Sequence, residues 1–318
     1  MKLRIGSRGS QLALWQADYI AELLRRQGHD VGIEIIKTTG DRLQDVTFAQ
    51  VGSKGMFTKE IEEALARGRV DLAVHSLKDL PTELPEPFAL AATPARVDAR
   101  DVLVSVEYAS LAELPRNAHV GTSSQRRRAQ LKALRPDVEA VEFRGNVDTR
   151  LRKLGEGQVE AILLAAAGLD RLGKTNLVRE RFDPKDFCPA AGQGALGVET
   201  RKDDAATREA VAFLDDADTR FAVTAERAAL AALGGGCQVP IGVHCRPSPA
   251  KDGSDGAWWE IFGVVASPTT GHVVRVRLDT PRENSDPESL GRNAAEMLIE
   301  EGAGPLVVAG GEAAGGAA

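Results

Sequence analysis

The sequence predicts an α/β protein of two similar lobes with mostly parallel sheets, followed by a small α+β domain. Through the first half, β-branched runs of strand length alternate with amphipathic runs of helix length. The alternation restarts after the proline-rich passage PTELPEP (81–87). From about Asp218 the order changes to one long helix, three strand-like runs and a last helix, a segregated pattern typical of α+β domains.

In the first lobe LRIG (3–6) is a short strand. Ser10 can cap a helix that presents Leu12, Trp15, Tyr19 and Leu23 on one face and closes at Gly28. VGIEIIKT (31–38) is a β-branched strand. Thr58 can cap the next helix, with Glu60 in its first turn and Gly68 at its end. VDLAVHS (70–76) returns to strand. In the second lobe the strands are HVGT, VEAVEFR and VEAILLAA, separated by the helices SSQRRRAQLKALR and NVDTRLRKLGEG. A hinge is expected near Thr93–Asp101. In the last part TRFAVTAERAALAALGG is helical, IGVHCR, WWEIFGVVAS and GHVVRVRLD are strands, and PESLGRNAAEMLIEEG closes the segment. In sheets of this type ligands bind beyond the carboxyl ends of the strands, so a cleft between the lobes is the expected site.

The chain has 318 residues, too many for one small core, with 43% apolar and 27% charged residues. The longest uncharged apolar run, Ala161–Leu169, is far too short to span a bilayer. Arg4 and Arg8 interrupt what would have to be the apolar core of an export signal, so none is expected, and a reducing cytoplasm suits the cysteines. Cys188, Cys237 and Cys245 form neither a CxxC pair nor an even framework. No HExxH and no Cys/His spacing points to zinc. Residues 308–318 are a Gly/Ala-rich tail.

Net charge is −6, which argues against a general nucleic-acid binder, yet Val120–Lys153 holds nine basic and four acidic residues. A basic segment on an acidic chain predicts a seated anionic ligand. GTSSQRRRAQL (121–131) brings free N–H groups, Ser123, Ser124, Arg126 and Arg127 together at a helix start. A capped helix with a solvated basic face would present the same residues. FRGNVDTRL (143–151) repeats the pattern with Arg144 and Arg150. Cations near a helix start oppose the macrodipole, which favours a bound anion there. Arg8 and Arg171 extend the set. AVHSLKDLPT (73–82) puts His75, Lys78 and Asp79 just after a strand. A carboxylate there can stabilise a developing cation or pass a proton, and an ordinary loop ion pair would look alike. GSKGMFTKE (52–60), with Lys54 and Lys59, reads as a flap over a cleft or as a plain surface turn. In LGGGCQVPIG (233–242), glycines give the backbone of Cys237 freedom to bring its sulfur into a cleft. An incidental loop cysteine is the alternative.

The ordered set of motifs, from RIGSRGSQLALWQ through DLAVHSLKDLPTELP, GTSSQRRRAQL, FRGNVDTRLRKL and PAAGQGALGVE to TAERAALAALGGGCQVPIG, resembles the porphobilinogen deaminase (hydroxymethylbilane synthase) family. The resemblance covers about residues 3–245. It implies two lobes like type II periplasmic binding proteins, with mixed, mostly parallel sheets. The first lobe is expected over 1–94 and 195–214, the second over 100–190 and the α+β domain over 217–307. It implies that four porphobilinogen molecules are joined head to tail, with loss of ammonia, into the linear tetrapyrrole hydroxymethylbilane. It further implies a dipyrromethane cofactor joined to Cys237 by a thioether. Asp79 matches the family's catalytic aspartate. Arg8, Ser10, Lys78, Ser124, Arg126, Arg127, Arg144, Arg150 and Arg171 match its cofactor and substrate carboxylate-binding positions, with Lys54, Lys59 and His75 auxiliary. The implied partner is porphobilinogen, with no nucleic acid or membrane. The implied state is a cytoplasmic monomer that hands its product to the next pathway enzyme. Gln125 departs from the aliphatic residue usual after the two serines, and Arg128 receives no role. Two readings of another class compete. A non-catalytic anion-binding protein of the same shape would need neither Cys237 nor Asp79. A nucleic-acid binder would need interleaved aromatics, and the basic segment has only Phe143.

Overall fold

The computed structural model describes residues 1–39, 58–234, 239–249 and 256–307. Three sheets organise them. The first contains β1 (Lys2–Ser7), β2 (Asp30–Ile35), β3 (Leu72–Ser76), β4 (Phe88–Ala92) and β10 (Leu196–Arg201), in the order β2-β1-β3-β10-β4. β1 pairs in parallel with β2 and β3, whereas β10 runs antiparallel to β3 and β4. The second contains β5 (Asp101–Val104), β6 (His119–Gly121), β7 (Glu139–Val141), β8 (Ala161–Ala165) and β9 (Val178–Arg181), in the order β7-β6-β8-β5-β9. Here β6 is parallel to β7 and β8, and β5 is antiparallel to β8 and β9. In each sheet four strands point one way and the reversed strand lies fourth. The chain therefore leaves the first sheet after β4, builds the second, and returns as β10.

The third sheet, β11 (Ile241–Pro249), β12 (Ala257–Ala266) and β13 (Val273–Pro281), is an antiparallel meander. Pairing runs from Ile241 opposite Val265 to Pro249 opposite Ala257, so β11 and β12 form a long antiparallel pair. Helices α7 (Ala217–Ala232) and α8 (Pro287–Leu298) cover it. A Cβ on Gly291 would lie 2.1 Å from the Ala225 carbonyl oxygen, so only glycine lets these helices approach so closely.

The parallel strands are linked by α1 (Gln11–Arg26), α2 (Lys59–Ala66), α3 (Gln125–Leu134), α4 (Val147–Gly155) and α5 (Ala166–Arg171), and α6 (Ala205–Val211) follows β10. Ser10 caps α1 by accepting from the Ala13 N–H at 3.3 Å, and Ser124 caps α3 by accepting from the Arg127 N–H at 3.4 Å. The expected face of α1 is corrected: Ala17, Ile20, Ala21 and Leu24 are buried, while Trp15 and Tyr19 are 36% and 39% exposed. The alanines let α1 lie close to the sheet. Trp15 and Tyr19 stack on each other with centroids 5.4 Å apart. Thr58 precedes α2 but makes no side-chain capping bond, a second departure from expectation.

Leu3, Ile5, Ile20 and Leu72 are fully buried in the first lobe, and Leu103, Leu131, Val120 and Phe187 in the second. Each such side chain contributes about 1.5–3 kcal/mol of burial free energy. The two crossings meet at one carboxylate. Glu226 of α7, fully buried, accepts from Arg96 at 2.6 and 3.1 Å and from the Gly192 N–H at 2.6 Å. It also accepts from the Cys245 N–H at 2.8 Å. Its carboxyl is held below the usual range because the Arg96 charge outweighs the cost of burial. Gly194 lies beside this point at φ +87°, where a Cβ would come within 2.8 Å of the Val97 carbonyl oxygen.

Candidate functional site

Five of the parallel strands end at one cleft of about 370 Å³ between the lobes. Beyond β1 stand Arg8 and Ser10. Beyond β3, in the short 3-10 turn Leu77–Asp79, stand Lys78 and Asp79. Ser123 and Arg127 follow β6, Arg144 and Arg150 follow β7, and Arg171 ends α5 after β8. Parallel topology brings these residues together, although Arg8 and Arg171 are far apart in sequence.

Arg127 is held from behind. Its Nε and Nη2 donate to Asp101 Oδ1 at 3.0 and 2.7 Å, and its Nη1 donates to the Leu163 carbonyl at 3.1 Å. Gln193 Nε2 donates to the same Asp101 oxygen at 2.9 Å. Asp101 is completely buried, and the charges of Arg126 and Arg127 overcome that burial and hold its carboxyl well below the usual range.

Arg126 differs from its neighbour. It is 5% exposed, its Nη1 donates to Asp101 Oδ2 at 2.5 Å and to the Cys188 carbonyl at 2.6 Å, and it is absent from the cleft lining. Arg126 thus braces Asp101 in this structure, and the carboxylate-binding role expected of it stays a proposal. Ser123 rather than Ser124 lines the cleft, and Ser124 is the helix cap.

Three cleft cations have no carboxylate within ion-pair distance among the described residues. Arg150 Nε donates to the Gly145 carbonyl at 2.8 Å. Arg171 Nη2 donates to the Gly194 carbonyl at 2.8 Å, while its buried Nε has no hydrogen-bond partner among the described residues. Lys78 Nζ is 3.5 Å from Gln193 Oε1. Burial pushes Arg150 and Arg171 each down to about 10. Burial pushes Lys78 down to about 8, opposed by Asp79 and reinforced by Arg127. At neutral pH all three carry charge. Partly desolvated cations without a carboxylate partner are what a carboxylate ligand would complete.

Asp79 is exposed at the cleft. His75 is 7% exposed, and its Nε2 is 3.0 Å from Glu199 Oε2 on β10. Lys59 is exposed at the start of α2 and does not line the cleft. Lys54 and Cys237 lie outside the described residues. Arg128 pairs at 2.9 Å with Glu142 on the surface. Among the described residues no group of three or more His, Cys, Asp and Glu is placed to hold a metal ion, and no helix is long and apolar enough to cross a membrane. The other two cysteines are buried, and burial pushes the Cys188 thiol up to about 12, so neither is poised as a thiolate. Sequence reading had not picked out Asp101, Gln193 or Glu226. Asp101 leads an apolar run, DVLVSV, and a carboxylate at the head of a buried strand is the one local sign of its role.

The fold and the cleft define a two-lobed α/β protein whose cleft gathers arginines and a lysine around one exposed aspartate. Residues 3–209 match the model of the "Porphobilinogen deaminase, dipyromethane cofactor binding domain", and residues 220–300 match that of the "Porphobilinogen deaminase, C-terminal domain". The porphobilinogen deaminase of Nitratidesulfovibrio vulgaris (strain Miyazaki F) is 48% identical over 310 residues, 96% of each chain. That of Trichlorobacter lovleyi is 49% identical over 303 residues, covering 95% of this chain and 94% of the relative. The solved structure of the methionine-binding protein MetQ aligns with a TM-score of 0.45 at 12% identity, over 69% of this chain and 91% of that one. The fold class rests on strand order and register rather than on that likeness. The chain belongs to the porphobilinogen deaminase family. Its reaction is the stepwise head-to-tail condensation of four porphobilinogen molecules into hydroxymethylbilane with release of ammonia, a transferase step of tetrapyrrole biosynthesis that uses a dipyrromethane cofactor.

Proposed function

We propose that Asp79 is the catalytic carboxylate of this condensation, that Cys237 carries the cofactor, and that the basic wall of the cleft holds the carboxylates of cofactor and substrate. The observation that carries the reading is the set Lys78, Arg150 and Arg171, charged, partly desolvated and without a carboxylate partner among the described residues, beside an exposed aspartate.

The donor set suits a dipyrromethane, whose rings bear acetate and propionate groups. Arg127, Arg144, Arg150, Arg171, Arg8 and Lys78 would hold these as charge-assisted pairs, and the orphaned Nε of Arg171 is a ready donor. Ser10, which lines the cleft, accepts from a backbone N–H through its oxygen, so its hydroxyl proton can still be donated to a ligand, and Ser124 supports the reading as the cap that sets the start of α3. The cofactor, when bound, supplies the pyrrole carbon to which the first substrate is joined. Asp79 stabilises positive charge as ammonia leaves the substrate and takes the proton shed on rearomatisation. Lys54 and Lys59 are auxiliary cations in this reading. Its structural units are 1–94 with 195–214, 100–190 and 217–307, with 308–318 as a tail. Its setting is a cytoplasmic monomer that passes its product on.

The test is intact mass. Purified protein is expected to exceed its sequence mass by a two-pyrrole adduct, and Cys237→Ser is expected to abolish that adduct and the activity together. An unmodified chain with full activity would overturn the assignment of Cys237.

A further inference from the structure

Porphobilinogen is not only an acid. Its aminomethyl group is an ammonium at neutral pH, and it sits on the carbon that reacts. A wall of arginines repels it, so the cleft needs a place rich in acceptors. The described cleft has Asp79 and, beyond it on the α2 side of the first sheet, a group of oxygens with no task in the reading above.

Glu62 Oε1 and Glu199 Oε1 are buried without a hydrogen-bond partner among the described residues, and the buried Thr58 hydroxyl lies close enough to the Glu62 carboxyl to favour its charged form. Thr58 is 2% exposed and Glu199 fully buried. The three are neighbours. The β3–β10 register sets Glu199 opposite Ala73 and Gly197 opposite His75, so Glu199 and His75 share one face of the sheet. The carboxyl of Glu62 is influenced by Thr58, Glu199 and His75 together. Burial pushes its pKa up and the charge of Glu199 adds to that shift, while the Thr58 hydroxyl and His75 oppose it. Thr58 and His75 line the same cleft as Asp79. Thr58 also leaves its own helix uncapped, although it occupies the capping position.

A buried acceptor without a donor is costly, and two carboxylate oxygens beside a hydroxyl suit a ligand that donates in several directions. A hydrogen-bonding cation suits carboxylate acceptors best, because it also meets their charge. Ammonium fits, since each N–H can serve one oxygen.

We propose that Thr58, Glu62 and Glu199, with Asp79 at the mouth, seat the ammonium group of the incoming substrate and hold it as it becomes the leaving group. The proposal rests on the condensation reading. In the step itself the C–N bond breaks with its electron pair passing to nitrogen. A pyrrole carbon of the acceptor forms the new C–C bond. The proton that carbon sheds passes through Asp79 to the ammonia, so one ammonium leaves for each bond made. His75 is a positioning residue: its ring nitrogen engages Glu199 Oε2 at 3.0 Å and leaves Oε1 for the cation.

The test compares porphobilinogen with the analogue whose amine is replaced by a hydroxyl, which presents no cation. In Glu62→Gln and Glu199→Gln the KM for porphobilinogen is expected to rise about tenfold or more, as for loss of a charge-assisted contact, with the KM for the hydroxyl analogue nearly unchanged. Thr58→Val should show the same split at about threefold, and it carries the test if a glutamine variant fails to fold. Equal changes for both substrates, or none for either, would overturn the ammonium seat while leaving the condensation reading intact. Failure of the wild-type protein to convert either substrate would instead remove the reading on which the seat depends.

Discussion

The first sheet runs β2-β1-β3-β10-β4 and the second runs β7-β6-β8-β5-β9, and in each the reversed fourth strand is the one delivered by a crossing segment. The side chains at the strand ends differ. The second lobe presents Arg127, braced by the buried Asp101, together with Arg144, Arg150 and Arg171. The first presents Arg8 and Lys78, but also Asp79 and, behind it, Glu62 and Glu199. One scaffold used twice thus divides its side chains, with cations concentrated on one side and carboxylates on the other, and in the proposed reading this separates anion binding from acid chemistry. A growing chain of carboxylates can then be gripped mainly by the second lobe while its reactive end faces the first.

The sharpest way to break this comparison is Asp79→Asn. Because Asp79 is exposed, the fold should be kept while turnover falls by about 10²–10⁴-fold. Near-normal rates, measured at saturating porphobilinogen, would reject the catalytic side of the division. Next is Asp101→Asn, which leaves Arg126 and Arg127 buried without a counter-charge. A destabilisation of about 3–5 kcal/mol is expected, read as an earlier denaturation midpoint. A smaller effect follows from Arg150→Leu or Arg171→Leu, each removing one partly buried cation. Each should weaken substrate or cofactor binding by about tenfold and leave denaturation nearly unchanged, since neither has an ion-pair partner to strand among the described residues. The mildest is a pH effect. Lys78 titrates at about 8 in the folded cleft, below its ordinary value, so as pH rises through 8 the cleft loses one positive charge and KM should climb. The sign for stability is opposite: the unfolded chain holds that proton more tightly, so this group favours folding more as pH rises from about 8 toward 10.5. Lys78→Arg should move the KM rise to higher pH.

Much of the cleft could be read from the chain because parallel topology gathers strand ends, and the motifs that stand out sit at strand ends. Arg127, Arg144 and Arg150 were visible as cations placed where a helix start disfavours them. The brace that Arg126 gives Asp101 was not legible, because sequence carries composition more plainly than the direction of a side chain on a helix. Asp101 and Gln193 escaped for another reason. Their partners lie 26 and 92 residues away along the chain, and no local pattern connects them. The α1 face was also misjudged, because Trp15 and Tyr19 carry more apolar surface than the alanines that pack. Strands β4, β5, β9 and β10 carry the antiparallel half of the topology. The βαβ rhythm that predicts parallel pairing has no counterpart for them.

Glu226 has a further consequence of measure. It fixes both crossings from the middle of α7, and the same helix runs on to Ala232. The two positions are six residues apart, about 9 Å along the axis. The rigid helix therefore acts as ruler and protractor for the segment that follows it. Adding or deleting one residue between Glu226 and Ala232 would keep every side chain of the cleft, yet turn the direction in which the chain departs toward Cys237 by about 100°.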